Sequence, residues 1–445
     1  MRNLTTLAAL TAATLFALSA NAQPQPQQEP MPSKELTIDR LYASPSLNGP
    51  SPTGVKYAPD GKRVTFLKAR EEDSSRYDLW QFDVETGEQS MLVDSTLLEP
   101  EEVELSEEEK ALRERKRIAG RKGIVDYDWG TADTILVPLG GDLHLVTLTG
   151  DGPQTRQLTK TEAFEYDARV SPKGHYVSFV RDGAVFVIDL ATGEERQITP
   201  DAEPDKAISY GVAEFVAQEE MSRYTGYWWS PDERHIAFTK VDESPVDVIE
   251  RFDIAAEKTT VIDQRYPRAG TANALVDLFV HDLKSGEDTR LASVGPDTYL
   301  ARVNWISDSL WFQTVNRDQT EIRYNQADGA PWEVTTPMAE SQDRWVNLSN
   351  DFVGLEDGIL LTTEENGYRH IAISPDGSDR GELRFLTSGD WAVDSVKTVD
   401  STNGLVYFTG YRDTPLEQHL YSVPLAGGEP ARITETGKSW TVSMS

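Results

Sequence analysis

One turn, repeated with the same kind of strand behind it, limits what this chain can fold into more than any other feature. Tyr57-Ala-Pro-Asp-Gly-Lys-Arg-Val-Thr-Phe66 returns as Val170-Ser-Pro-Lys-Gly-His-Tyr-Val-Ser-Phe179 and as Trp229-Ser-Pro-Asp-Glu-Arg-His-Ile-Ala-Phe238, with a weaker copy over Asn304–Phe312. Proline presets the turn, aspartate caps it through its side chain, and glycine tolerates positive φ. A second phrase, a strand ending in Thr-Gly-Glu or a close variant, occurs at Leu79–Glu88, Leu143–Asp151, Val185–Glu194, Leu278–Glu287 and Leu420–Glu429. Short strands closing on Leu-Thr or Ile-Thr recur as well, at Leu158-Thr159, Ile198-Thr199, Leu386-Thr387 and Ile433-Thr434. Four short strands at a period of about 40 residues make one blade of a β-propeller. The fold class is therefore all-β, with about seven blades present and Gly437–Ser445 starting another. An open ring leaves a blade edge unpaired, so the chain is expected to stop short of a full propeller.

Two segments break the repeat. Ser106-Glu-Glu-Glu109 has the form of a capping box and opens a helix predicted to run through Leu112 to about Ala119, with Gly120 as its stop. Its acidic start and its basic run Lys110, Arg113, Arg115, Lys116 and Arg117 complement the helix dipole, and it reads as a solvated helix packed on the rim. The other interruption, residues 241–264, contains strands predicted at Asp247–Ile254 and Lys258–Ile262, joined around Ala255-Ala-Glu257. They form a hairpin longer than a blade requires, a candidate contact for a partner.

The chain begins as an exported protein does. Arg2 precedes an apolar stretch from Leu7 to Leu18, and Ala20-Asn21-Ala22 offers the small-x-small pattern of a cleavage site. That stretch falls short of the roughly 20 residues needed to span a bilayer. The expected organisation is a signal peptide over residues 1–22, a disordered leader (Gln23 to Pro32) and entry segment over 23–45, and a propeller over 46–445, in the periplasm or outside the cell. There is no cysteine, so the fold rests on a packed core and not on disulfides. The six histidines are scattered without zinc-ligand spacing; neither a metal nor a cofactor is expected. Asp plus Glu outnumber Lys plus Arg by 74 to 43, a net charge of −31, which repels nucleic acid and anionic lipid and favours cationic ligands.

One acidic pair stands in an unusual place. With 74 acidic residues among 445, chance alone places roughly a dozen adjacent pairs, most on solvated surfaces. Glu219-Glu220, however, lies in Phe215-Val-Ala-Gln-Glu-Glu-Met-Ser-Arg-Tyr-Thr-Gly-Tyr-Trp-Trp-Ser-Pro-Asp232, a short helical segment between blades that no hairpin needs. Neighbouring carboxylates repel unless a cation sits between them, and an ammonium group with three donors suits two of them. Tyr224, Tyr227, Trp228 and Trp229 form an aromatic flank that limits solvent there, unless Trp228 and Trp229 belong to a blade core.

The segment closely resembles the double-glutamate motif of the dipeptidyl peptidase IV family, of the prolyl oligopeptidase superfamily of serine peptidases. Further similar stretches follow in the family's order: Tyr266-Pro-Arg-Ala-Gly270, Glu364-Glu-Asn-Gly-Tyr-Arg-His-Ile371 and Leu386-Thr-Ser-Gly-Asp-Trp391. The likeness runs from about Ser46 to the end of the chain. It implies an eight-bladed propeller capping an α/β-hydrolase domain. It implies that Glu219 and Glu220 bind the free α-amino group of a peptide, and that dipeptides ending in proline or alanine are released from the N-terminus. It also implies that the hairpin near 241–264 helps form homodimers. Gln218 departs from the acid that precedes the pair in mammalian relatives. The family's carbonyl-binding arginine has no matched position, with Arg117 and Arg121 both open. No Gly-x-Ser-x-Gly elbow occurs, and in the family the serine, aspartate and histidine all follow the propeller. This chain is thus expected to carry no catalytic residue and to be inactive alone. The alternative from another class is a stand-alone periplasmic propeller that binds peptides or proteins without catalysis.

Overall fold

The structure is a computed structural model that describes residues 36–43, 47–99, 105–150, 152–294, 297–329, 331–377 and 383–444. The predicted signal peptide and most of the lead-in, residues 1–35, lie outside them. What is described is mostly β, and its strands form seven consecutive antiparallel sheets plus one separate hairpin. The first sheet runs Thr53–Tyr57, Arg63–Ala69, Arg76–Asp83 and Gln89–Val93, with Lys122–Gly123 added parallel to its third strand. The second is Asp128–Thr131, Thr134–Leu139, Asp142–Thr149 and Gly152–Gln157, and the third Tyr166–Val170, Tyr176–Arg181, Ala184–Asp189 and Glu195–Gln197. In the fourth, Ile208–Tyr210 and Tyr227–Trp229 both pair with His235–Asp242, followed by Leu275–Asp282 and Asp288–Val294. The fifth is Thr298–Ile306, Ser309–Asn316, Glu321–Asp328 and Glu333–Ser341. The sixth is Phe352–Leu355, Gly358–Thr363, His370–Ser374 and Arg384–Phe385, and the seventh Val393–Asp400, Leu405–Gly410, His419–Pro424 and Ala431–Arg432.

The sheets stack in series, and the residue pattern of the inner strands explains how. Successive side chains of a strand point to opposite faces. In the second sheet Ile135 and Val137 join a core shared with the first, while Leu136 joins a core shared with the third. In the fourth, Ile236 and Phe238 pack toward the third while Ala237 packs toward the fifth. In the fifth, Leu310 and Phe312 pack back on the fourth while Trp311 packs forward on the sixth. In the sixth, Ile359 and Leu361 face the fifth while Leu360 faces the seventh. Both faces of these strands are buried, so they read as unbroken apolar runs and not as an alternation.

The two sequence phrases have distinct structural jobs. In the turns, Gly61, Gly174 and Glu233 occupy the same position with φ of 70°, 80° and 65°. Glu233 tolerates this left-handed geometry because its buried carboxylate is held by the third sheet, accepting from Lys173 N–H and meeting His175 Nδ1, each at 2.6 Å. The Leu-Thr and Ile-Thr pairs are clips. Thr159, Thr199, Thr387 and Thr434 each accept, through Oγ1, the backbone N–H of the second residue of the third strand: Leu143, Val185, Ile371 and Leu420, at 2.9–3.1 Å.

The α-helices among the described residues are few: α1 Ile38–Tyr42, α2 Ser95–Leu98, α3 Glu107–Arg115 and α4 Phe215–Met221. The predicted helix is α3, and the Ser106 hydroxyl caps it by accepting Glu109 N–H at 3.1 Å. It ends before the predicted Gly120, because Arg117 takes φ 58° and Ile118 N–H reaches the Arg113 carbonyl at 2.9 Å, closing the helix. Nor is it simply solvated, since Arg113 is buried and donates to Glu109 Oε1 and to the Arg121 carbonyl, both at 2.8 Å. The predicted hairpin forms as Val248–Ile254 and Thr259–Arg265, paired only with each other among the described residues. Residues 437–444 contain no strand, so the further blade expected from Gly437 does not begin within them. They pass the first sheet, where Tyr57 Oη donates to the Ser443 carbonyl at 3.1 Å.

Candidate functional site

The glutamate pair is presented by a strand that has been split. Ile208–Tyr210 and Tyr227–Trp229 occupy successive positions along one neighbour, Tyr210 opposite Lys240 and Tyr227 opposite Phe238. Between them Thr239 bonds both broken ends: its carbonyl accepts Gly211 N–H and its N–H donates to the Gly226 carbonyl, each at 2.8 Å. Residues 211–226 are thus extruded from the sheet as a loop whose base is nearly closed. The two chains pass so near that a Cβ on Gly226 would lie 2.3 Å from Val212 N, which explains why glycine stands there.

The extruded loop carries α4. Ala217 and Met221 are buried beneath it, Met221 sharing a core with Trp311 and Val346. Ser222 ends the helix at φ 53°, and Arg223 then secures both of its ends. The Arg223 guanidinium donates to Glu214 Oε2 at 2.7 Å, to the Thr225 carbonyl at 2.8 Å and to the Leu300 carbonyl of the fifth sheet at 3.2 Å. Both charged side chains of that pair are buried, so the helix is fixed from below by a fully engaged ion pair.

Glu219 and Glu220 lie on the opposite, exposed side. Arg115, from the last turn of α3, stands beside them: its Nε is 3.5 Å from Glu219 Oε1 and its NH1 donates to Gln218 Oε1 at 2.9 Å. Gln218 in turn donates to the Ala213 carbonyl at 2.5 Å. The Arg115 guanidinium also covers the Phe215 ring at 5.5 Å, and Tyr266 meets that ring edge-on at 5.1 Å. Two carboxylates and a guanidinium on rigid supports make a site for a group that is cationic at one end and carries an acceptor nearby.

Arg115 was not among the candidates drawn from the sequence. Arg117 instead closes α3, and Arg121 donates to Thr53 Oγ1 at 3.2 Å and lies over the Tyr77 ring. Tyr227 and Trp229 belong to the sheet core: Trp229 Nε1 donates to Ser178 Oγ at 2.7 Å and its ring stacks on Tyr176. Trp228 is half-buried and Tyr224 remains half-open.

The sequence profile of the dipeptidyl peptidase IV N-terminal region matches residues 138–445. The chain belongs to this family. It is 28% identical over 433 residues to human dipeptidyl peptidase 8, covering 76% of this chain and 48% of that protein. It is 31% identical over 301 residues to a probable dipeptidyl-aminopeptidase B of Aspergillus clavatus, covering 60% of this chain and 32% of that one. Its fold is similar to that of Porphyromonas gingivalis dipeptidyl peptidase 4, with a TM-score of 0.66 at 20% identity over 85% of this chain and 52% of that chain. The chain spans about half the length of the human and Porphyromonas gingivalis proteins it matches, 48% and 52%.

Set against this family of dipeptidyl peptidases, the other family-like stretches prove to be supports. Tyr266 braces Phe215 of α4. Glu364 accepts from Asn347 at 2.7 Å and pairs with Arg369 at 3.5 Å. His370 is buried between Thr387 Oγ1 and the Gly389 carbonyl, with Trp391 edge-on at 5.1 Å.

Proposed function

We propose that this chain is the substrate-gating β-propeller of an exported serine dipeptidyl aminopeptidase, and that Glu219 and Glu220 bind the α-amino group of a peptide. The observation that carries the reading is the extruded α4, rigidly seated and offering two exposed carboxylates beside a half-buried arginine. An α-ammonium has three donors to share between two carboxylates. The next acceptor along a peptide is its first carbonyl, and Arg115 supplies donors for it from α3. Capturing the terminal amine at a fixed distance from the scissile bond is what makes an enzyme count residues from the N-terminus. The seven sheets in series are the blades of that propeller. Export follows the signal peptide ending at Ala22, and the whole protein's hydrolase domain supplies serine, aspartate and histidine, the Gly-x-Ser-x-Gly elbow being absent from these residues. The hairpin Val248–Arg265 meets a second copy.

The test is made in the whole enzyme. Glu219→Ala or Glu220→Ala removes one charged contact to the ammonium and should lower kcat/KM for X-Pro and X-Ala substrates by about 30- to 1000-fold, some 2–4 kcal/mol. Full activity in both variants overturns the assignment.

A further inference from the structure

Gln218 stands between the two halves of the site and touches both. The carboxylates come from α4, in the loop extruded from the fourth sheet, and the guanidinium from α3, which precedes the second sheet. The hydrogen bond from Arg115 NH1 to Gln218 Oε1, at 2.9 Å, joins residues 103 positions apart. On its other side Gln218 Nε2 donates at 2.5 Å to the carbonyl of Ala213, two residues before α4 begins. A guanidinium only donates and a carbonyl only accepts. The side chain between them must accept at one end and donate at the other, which an amide does and an ionised carboxylate does not.

The consequence falls on Arg115. Three contacts from α4 converge on its guanidinium: Gln218 at NH1, Glu219 at 3.5 Å from Nε, and the Phe215 ring at 5.5 Å. Together they fix the position and the plane of the fork. Its NH2 makes no hydrogen bond among the described residues and is not enclosed, the Arg115 side chain being 28% exposed. One donor face is thus aimed and left open. A glutamate in place of Gln218 would turn a carboxylate oxygen toward the Ala213 carbonyl, setting acceptor against acceptor. It would also upset the charge. Glu219, Glu220 and Arg115 sum to −1, which one α-ammonium cancels, whereas a third carboxylate adds a like charge that nothing in the bound state offsets.

We propose that Gln218 is a positioning residue, holding the Arg115 guanidinium open and at a fixed separation from Glu219 and Glu220, so that a peptide's first carbonyl meets it as the amine docks. This deepens the amine-anchor reading and rests on it. The amide acts through Arg115 and needs no contact with the substrate.

The test is steady-state kinetics of the whole enzyme on Ala-Pro-p-nitroanilide, with Gln218→Met, Gln218→Glu, Arg115→Met and the double variant Gln218→Met/Arg115→Met. Methionine and glutamate both keep the length of the side chain, so α4 should stay seated and the melting temperature should hold. Each single change at 218 should lower kcat/KM about tenfold, the lower end of what a hydrogen bond to a charged group conveys. With Arg115→Met already present, Gln218→Met should change kcat/KM less than about twofold, because the two residues act as one unit. An equal loss in both backgrounds overturns the proposal, since a structural role would not depend on Arg115. Full activity of Gln218→Glu overturns it too, because length alone would then suffice, as does full activity of Arg115→Met, which would leave nothing to position. If either variant at 218 fails to fold, the other decides. Full activity of Glu219→Ala and Glu220→Ala, with the coupling of 218 to 115 intact, overturns the amine anchor and leaves the hold on Arg115 standing.

Discussion

The fourth sheet is interrupted on either side of its strand His235–Asp242, and the two insertions are secured in opposite ways. Before the strand, residues 211–226 are clamped at their base by Thr239, fixed underneath by buried Arg223 and Glu214, and packed through Met221 into the core of the next sheets. After it, the hairpin Val248–Arg265 is held by its own ladder, and Val248, Phe252, Ile254 and Val261 stand exposed on it. These four share one face, for Phe252 lies opposite Val261 and alternate residues point the same way. The first insertion has its stabilising contacts beneath and its polar groups outward, as a binding site requires. The second leaves apolar surface uncovered, as a contact with another protein surface requires.

The sharpest way to break this contrast is to remove the ion pair. Arg223→Met leaves the Glu214 carboxylate buried without its partner, a change that typically costs about 3–5 kcal/mol. Denaturant unfolding should show a loss of that size. A loss below about 1 kcal/mol would mean that α4 is seated by packing alone. Gly226→Ala ranks next. Its methyl meets backbone at 2.3 Å, with no flexible side chain to give way, so overpacking of about 1–3 kcal/mol is expected. An unchanged midpoint would show that the base of the loop is open enough to move.

Glu243 joins the two insertions and gives a smaller effect with a defined sign. Burial raises its pKa, with Arg265 of the hairpin opposing and the Glu214 carboxylate adding to the rise. Arg115 also faces it and opposes the rise. The folded state therefore holds this proton more tightly than the unfolded chain, and stability is lost as pH climbs past the ordinary value of 4.5. Glu243→Gln removes the penalty. It should stabilise the chain at pH 7 by less than about 1 kcal/mol, the scale of one partly screened charge contact, and the gain should vanish below pH 4.5. A gain that persists in acid would assign it to packing, and a loss at pH 7 would mean that the Arg265 contact outweighs burial.

The repeated parts of this fold were legible because repetition averages out local accident. The turns at Gly61 and Gly174 and the threonine clips at 159, 199, 387 and 434 each recur with the same geometry. The third strands Glu321–Asp328 and His370–Ser374 lack the Thr-Gly-Glu signature, and their sheets were correspondingly faint in the sequence. Glu219 and Glu220 stood out in the sequence through their neighbours and not through their own chemistry. Arg115, which the structure places beside Glu219, did not stand out because it lies in a basic run that reads as a solvated face. Helical spacing held the clue: Arg113 is spent on Glu109 four residues earlier, and a residue two positions on is turned by about 200°, toward a different neighbour. What no spacing could show is that α4, more than a hundred positions later in the chain, would be that neighbour.

The gentlest test bears on the hairpin. Phe252 is 57% exposed and its partner Val261 53%, so neither contributes much to the fold of a single chain. Phe252→Ser should leave unfolding within about 0.5 kcal/mol of the original, as surface changes do, while lowering the fraction of dimer seen by sedimentation at equal concentration. The two readouts separate the causes. A stability loss above about 1 kcal/mol with no change in association would mean that another part of the same chain covers this face, and the contrast between the insertions would fail. Unchanged stability with unchanged association would leave the projecting hairpin but deny it a second copy as its partner, because burying a phenylalanine and its cross-strand valine is worth too much for a contact to survive its loss unaltered.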